Sequence, residues 1–310
     1  MCFQVSSSYI ITLSMETPVH VHSWIESNKP SFSPPIGNKL MHKNLLSVMF
    51  VGGPNSRRDF HVDEASEFFY QLKGNMQLPI IERGKRRIVH IKEGEVFLLP
   101  SRIPHSPQRP EEGSVGLVIE RSRDIPHEYD CMRWYTDFET CEKIEFEKFF
   151  HCRDLGRDLV PVAKEYAEFQ QRGRLGETIG SVEKKVIDDT ESVVPDAFNL
   201  GGFIDSRSEE FRNGCRLSLF PPNHPCRELN ISLSSLLSER VSASGYEVFV
   251  FQVKGEAVLN QLDTSTGLPN KLELAQGACF VLQSDSEWEI ERGLGGITMI
   301  VHCNPLGNKI

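Results

Sequence analysis

His61-Val62-Asp63-Glu64-Ala65-Ser66-Glu67-Phe68-Phe69-Tyr70-Gln71-Leu72-Lys73-Gly74, followed by Gly94-Glu95-Val96-Phe97-Leu98-Leu99-Pro100-Ser101-Arg102-Ile103-Pro104-His105, is the stretch whose reading decides the fold. Each half of it is a short apolar run closed by Gly or Pro, with ionisable residues at its ends, the pattern of a strand between two turns. The same pattern extends outward. Residues 45–51 are apolar and stop at Gly52-Gly53-Pro54, residues 76–82 and 86–91 flank Arg83-Gly84-Lys85 as a hairpin would, and 115–120 form a further apolar strand. Many short strands with regular turns predict an all-β sandwich or barrel. The one clear helical pattern lies at 158–172, where Leu159, Val162, Ala163, Tyr166 and Phe169 fall at helical spacing.

The pattern occurs twice. Phe68-Phe69-Tyr70-Gln71-Leu72-Lys73-Gly74 corresponds to Phe249-Val250-Phe251-Gln252-Val253-Lys254-Gly255, and Gly94-Glu95-Val96-Phe97-Leu98-Leu99 to Gly277-Ala278-Cys279-Phe280-Val281-Leu282. The gap between the blocks differs by two residues. The chain is therefore expected to carry two similar β-barrels and a few short helices. An N-terminal extension is expected at 1–18, a first barrel at 19–172, a polar linker at 173–200 and a second barrel at 201–310.

His61 and Glu67 bracket a turn between two strands, and His105 follows a third. Two imidazoles and one carboxylate are the donor set of non-haem Fe(II) oxygenases, and three protein ligands leave coordination positions open. The offsets resemble the two motifs of the cupin family: His-x-His, Glu and Gly in the first, Gly, Pro and His in the second. Here they read His61-Val62-Asp63, Glu67 and Gly74, then Gly94, Pro100 and His105. Asp63 replaces the second His, which lowers the expected ligand count from four to three. Arg102 stands at the usual Gly of the second motif, and Arg109 at its usual Asn. Reading the repeat at the same offsets puts Ser242, Val248 and Trp288 at the ligand positions, so the second barrel is expected to be structural and metal-free.

Strand parity adds a pocket. Arg57, Asp59 and His61 share one face, as do His105 and Arg109 if that segment is extended, and Glu120 closes a strand in phase with Gly116 and Val118. The expected cavity holds Arg57, Arg109 and Glu120 beside the metal. Two arginines there point to an anionic ligand, most simply a carboxylate. The chain has 310 residues and a formal net charge of −9, which disfavours nucleic acid as a partner. No apolar run is long enough to span a bilayer. None of the eight cysteines forms a Cys-x-x-Cys pair, and reduced thiols in the cytoplasm are the expectation. The residues themselves leave open another metal-dependent cupin enzyme, such as a sugar-phosphate isomerase or a different dioxygenase, and a non-catalytic binding or storage cupin.

The segments 52–61, 67–71 and 97–109, with Asn38-Lys39-Leu40-Met41-His42, resemble the 3-hydroxyanthranilate 3,4-dioxygenase family most strongly from about residue 20 to 170. Bacterial members carry a C-terminal four-cysteine metal site. This sequence has no such cluster, and its duplicated second half resembles the animal form, which implies a monomer. The resemblance implies Fe(II) held by His61, Glu67 and His105. It implies substrate contacts at Glu67, Arg109 and Glu120, with Arg57 on the oxygen side. Arg57 and Glu120 are the expected catalytic residues. The implied reaction opens the ring of 3-hydroxyanthranilate with O2 to give 2-amino-3-carboxymuconate semialdehyde, the precursor of quinolinate in tryptophan breakdown and NAD synthesis.

Overall fold

Side-chain alternation along the strands sorts the first half into an inner and an outer face. The computed structural model describes residues 15–32, 37–55, 57–172, 183–263 and 271–307. One wall of the first barrel is a six-stranded antiparallel sheet, in the order Phe198–Asn199, Glu95–Leu99, Glu67–Lys73, Val115–Arg121, Leu46–Gly52 and Asn38–Lys43. The other wall joins Ile144–Phe150, Asp130–Tyr135 and Asp59–Val62 to the hairpin Met76–Glu82 and Lys85–Ile91. The extended segment 104–109 runs between these two groups, bonded to His61 on one side and to Gln77, Pro79 and Ile81 on the other. Met49, Phe69, Phe97, Leu99 and Val118 point inward from the first wall and meet Met76, Leu78, Ile80 and Val89 from the second. Gly74, at φ +64°, makes the left-handed turn into the hairpin.

The second half repeats this plan. Its six-stranded sheet runs Val19–His20, Ala278–Leu282, Val248–Lys254, Ile297–Cys303, Leu229–Ser234 and Arg216–Ser218, and its second wall Ser238–Ser242, Glu287–Arg292, Ala257–Gln261 and Lys271–Leu274. The barrels exchange their outermost strands. Val19–His20, from the N-terminal region, pairs with Ala278 and Cys279, while Phe198–Asn199 pairs with Glu95 and Val96. Each is followed by a helix of the same length, Val21–Ser27 and Leu200–Ser206, capped by the side chain of His20 or Asn199. The exchange cuts across the boundaries drawn from sequence, which put residue 19 with the first barrel and 173–200 in a linker. From residue 183 that linker packs on the first barrel: Val186 and Val194 are buried, and Asp188 bonds Arg133 at 2.6 and 3.1 Å. Of the extension 1–18, residues 1–14 lie outside the described residues.

The two large sheets stack back to back. Val48, Phe50, Phe68, Leu98, Leu117 and Ile119 face away from the first barrel's interior and share one core with Phe220, Leu233, Phe249 and Phe251 of the second half. This explains why Phe68 and Phe69 are adjacent: a strand covered on both faces is apolar at consecutive positions. Buried carboxylates tie the stack. Glu247 accepts from Asn44 and from the Leu46 amide and lies 3.0 Å from His42 Nε2. Glu228 accepts from Arg121 and, at 2.6 Å, from the Ser66 amide. The helix Leu155–Gln171 starts three residues earlier than its apolar spacing predicts, because Asp154 caps it through the Arg157 amide at 3.0 Å. Among the described residues no helix is long and apolar enough to cross a membrane.

Candidate metal centre and substrate pocket

His61 comes from the end of Asp59–Val62, Glu67 from the start of Glu67–Lys73 and His105 from the extended segment between the walls. The His61 and His105 backbones exchange two hydrogen bonds, at 2.8 and 2.9 Å, which puts both rings on the inner face. The candidate ligand atoms of His61, Asp63, Glu67 and His105 lie within 4.8 Å of one another, and all four residues are buried. This donor set fits a divalent cation that accepts nitrogen and oxygen. The outer edges of the rings are occupied as such a site needs. Asp130 Oδ2 lies 2.8 Å from His61 Nε2, and His105 Nδ1 lies 2.9 Å from the Ile103 carbonyl oxygen, so His61 Nδ1 and His105 Nε2 face the cluster. His105 Nε2 sits 3.2 Å from Glu67 Oε1. Burial disfavours both charges, yet each supports the other: the His105 imidazole is pushed up to about 9 and the Glu67 carboxyl down to about 2.

Asp63, read from sequence as a lost ligand, thus belongs to the cluster. Its carboxylate is already engaged, accepting from the Ala65 amide at 2.9 Å and from Arg123 Nη2 at 2.9 Å. Sequence reasoning missed Arg123 and Asp130. Arg123 reaches Asp63, Asp130 at 3.0 Å and Glu120 at 2.7 Å, so one buried guanidinium serves three carboxylates. Burial alone would raise the Asp130 carboxyl, but Arg123 and His61 hold it below the ordinary range. Neither residue falls in a motif. Their only signal is a charged residue just beyond an apolar strand and another at the start of the next.

A cavity of about 320 Å³ opens beside the cluster. His61, Glu67 and His105 form its floor, Met49, Phe69, Val118 and Met132 its apolar walls, and Leu155, Leu159 and Ala163 of the helix its roof. Arg57 and Arg109 both line it. Their states differ. Arg57 Nε donates to Asp59 Oδ1 at 3.2 Å and its Nη2 pairs with Asp59 Oδ2, so its charge is balanced. Arg109 is 1% exposed, and its Nε and Nη2 find no hydrogen-bond partner among the described residues. Burial draws its guanidinium down to about 10 despite Glu67 nearby.

Glu120 stands apart from them. It is the strand partner of Glu67, but Arg123 draws its carboxylate towards an adjoining cavity of about 490 Å³. The two cavities share Asn38, Met49 and Leu155. Burial, with Glu67 and Asp63 close by, raises the Glu120 carboxyl even beside Arg123. In the second barrel, strand pairing sets Val241, not Ser242, opposite Trp288, one residue from the position counted in sequence. Trp288 is fully buried, and its indole donates to Ser286 Oγ at 2.8 Å.

Residues 13–167 match the family model described as 3-hydroxyanthranilic acid dioxygenase. The chain is 37% identical over 298 residues to a Mus musculus protein named 3-hydroxyanthranilate 3,4-dioxygenase, covering 95% of this chain and 99% of that one. A Rattus norvegicus protein of the same name is 40% identical over 297 residues, again 95% of this chain and 99% of the relative. The Homo sapiens protein of that name is 37% identical over 298 residues with the same coverage. Among solved structures, an oxalate decarboxylase from Lactobacillus farciminis aligns at TM-score 0.48 and 15% identity, covering 87% of this chain and 82% of that one. The two barrels, the buried cluster at the inner end of the first and the relatives spanning both halves agree, and the chain belongs to the 3-hydroxyanthranilate 3,4-dioxygenase family.

Proposed function

We propose that the chain is a ring-opening dioxygenase that converts 3-hydroxyanthranilate and O2 to 2-amino-3-carboxymuconate semialdehyde, with Fe(II) held by His61, Glu67 and His105. Both atoms of O2 enter the product, and the semialdehyde then closes to quinolinate with loss of water. The observation that carries the reading is Arg109: a buried guanidinium whose Nε and Nη2 have no hydrogen-bond partner among the described residues, in an apolar cavity floored by the metal cluster. A planar guanidinium matches a carboxylate with two parallel hydrogen bonds, and the apolar walls suit a flat ring. Bound in the cluster, Fe(II) would supply the electron-transfer chemistry that lets triplet dioxygen react with an electron-rich aromatic ring.

The remaining assignments belong to the chain's own side chains. Arg109 anchors the carboxylate and so fixes which edge of the ring faces the cluster, a positioning effect. Arg57, at the cavity mouth, stabilises negative charge developing on the oxygen side, with Asp59 holding its fork in place. Glu67 serves as ligand and meets the substrate's polar edge. Glu120, with its raised affinity for a proton, takes the proton of the ring hydroxyl, which requires its carboxylate to turn from Arg123 towards Glu67. Leu159 and Ala163 exclude water above the ring. The second half covers the sheet face that a second subunit would otherwise bury, which supports a monomer, and a cytoplasmic location suits the scattered thiols. Oxygen uptake by iron-loaded protein tests the proposal. One O2 should be consumed per 3-hydroxyanthranilate lost, and no uptake at full iron occupancy would overturn it.

A further inference from the structure

The duplicated fold contains a second copy of the arginine anchor, and the difference between the copies shows what keeps the first one available. Arg292 lies four residues beyond Trp288, as Arg109 lies four beyond His105. The neighbouring strands correspond as well. Gln71 pairs with Gly116 just before a bulge, and Gln252 pairs with Thr298 just before the equivalent bulge. Both glutamines use Nε2 in the same way, donating at 2.9 Å to the carbonyl two residues on, Lys73 or Lys254.

The two sites then part. In the second barrel Arg292 is satisfied by protein: Nε donates to Thr298 Oγ1 at 2.6 Å, Nη1 to the Leu236 carbonyl at 2.9 Å and Nη2 to Glu239 at 2.5 Å. Thr298 Oγ1 in turn donates to Gln252 Oε1 at 2.7 Å. In the first barrel Gly116 replaces the threonine. Arg109 Nε and Nη2 and Gln71 Oε1 are all buried with no hydrogen-bond partner among the described residues. A Cβ at Gly116 would lie 2.6 Å from Gln71 Oε1 and 3.1 Å from Arg109 Nη2, so the guanidinium occupies the space that the missing side chain leaves.

We infer that Gly116 and Gln71 are specificity-determining positions that keep the Arg109 fork free of protein partners and so reserve it for a substrate carboxylate. Gly116 denies the fork a hydroxyl and gives it room to lie flat along the strand. Gln71 fills the neighbouring place with a neutral amide, where an acidic residue would capture the guanidinium as Glu239 captures Arg292. This rests on the reading of Arg109 as the carboxylate anchor. Both residues act through Arg109 and belong themselves to neither the cluster nor the cavity lining.

Gly116→Thr rebuilds the second barrel's arrangement in the first, and Gln71→Glu supplies a competing carboxylate. The atoms that a Gly116 side chain would meet first are the ends of two flexible side chains, so the barrel can accommodate it. The measurement is kcat and KM for 3-hydroxyanthranilate and for 2-aminophenol, which lacks the carboxylate, in iron-loaded wild type, Gly116→Thr, Gln71→Glu and Arg109→Ala. Iron content and melting temperature are recorded for each. Both new variants should keep iron and lose roughly ten- to hundred-fold in kcat/KM for 3-hydroxyanthranilate, mostly through KM, the scale of one or two charge-assisted hydrogen bonds. The loss for 2-aminophenol should be much smaller. If Arg109→Ala shows this selectivity while Gly116→Thr and Gln71→Glu lower both substrates equally or neither, the inference fails and the anchor stands. If Arg109→Ala lowers both substrates equally with iron retained, the anchor fails and takes the inference with it. Should Gly116→Thr not fold, Gln71→Glu decides alone.

Discussion

Asp130 lines neither cavity, yet the chemistry of His61 depends on it. Its carboxylate holds His61 Nε2 at 2.8 Å and so leaves Nδ1 for the cluster. Asp130→Asn should weaken metal binding about 10–100-fold, the usual cost of losing such a partner, whereas His61→Ala should abolish retention. Competition with a chelator measures both, and equal affinity in wild type and Asp130→Asn would remove Asp130 from the site. The His105–Glu67 pair makes a second claim testable. With His105 pushed up to about 9, the metal-free site is protonated at neutral pH, and only the neutral imidazole can bind a cation. Metal uptake at pH 7 should therefore release close to one proton per site, and affinity should rise with pH until about 9. Calorimetry in two buffers of different ionisation enthalpy reads the proton count, and a count of zero would contradict the pairing. At this scale the sequence was legible where spacing carried the chemistry: His61, Glu67 and His105 converge as expected. It was not legible where charge is shared across strands. Nothing in the order of residues shows that Arg123 turns Glu120 away from Arg57 and Arg109.

The strands followed their patterns closely. Glu67–Lys73 and Met76–Glu82 have the bounds their apolar runs suggest, because the first is followed by Gly74 and the second by Arg83-Gly84, all at positive φ. The helix Leu155–Gln171 shows where periodicity stops informing. One apolar stripe serves two purposes. Tyr166 stacks on Trp134 at 4.3 Å, and Phe169 packs on Phe146 at 5.5 Å, while Leu155, Leu159 and Ala163 roof the cavity. Helical spacing alone cannot separate the anchoring end from the roof. Ala163→Phe should fill part of the cavity and raise KM for 3-hydroxyanthranilate by about ten-fold or more, the scale of a 1.4 kcal/mol loss, with iron content unchanged. An unaltered KM would mean that the helix lies clear of the bound ring. The exchanged strands Val19–His20 and Phe198–Asn199 went unread because two-residue strands carry no period, and their pairing is fixed by the other barrel.

At the scale of the molecule, the second barrel does more than cover a face. Glu228 reaches from it to the Ser66 amide, immediately before Glu67, and to Arg121, which also pairs with Glu128. The loop that carries Glu67 is thus held partly by the other barrel. Glu228→Ala would leave a buried arginine short of one partner and an amide without its carboxylate. Breaking a buried pair in this way costs roughly 3–5 kcal/mol. A lower melting temperature and weaker metal affinity should appear together. A lower melting temperature with unchanged affinity would make Glu228 a purely structural tie. Metal analysis of purified protein should give about one iron per chain, since Val241, Val248 and Trp288 stand at the second barrel's equivalent positions. The repeat was visible in the sequence, whereas the tie from Glu228 to Ser66 and Arg121 was not, because its partners lie more than a hundred residues apart along the chain.

Anaerobic mixing tests ring opening at the cluster of His61, Glu67 and His105. Iron-loaded protein is combined with 3-hydroxyanthranilate without oxygen, oxygen is then admitted, and absorbance is followed throughout. The substrate spectrum should hold until oxygen enters and then give way to product absorbance in proportion to bound iron, with His105→Ala inert. Fully iron-loaded protein that leaves 3-hydroxyanthranilate unchanged in oxygen, or metal-free protein that consumes it equally fast, would contradict the claim.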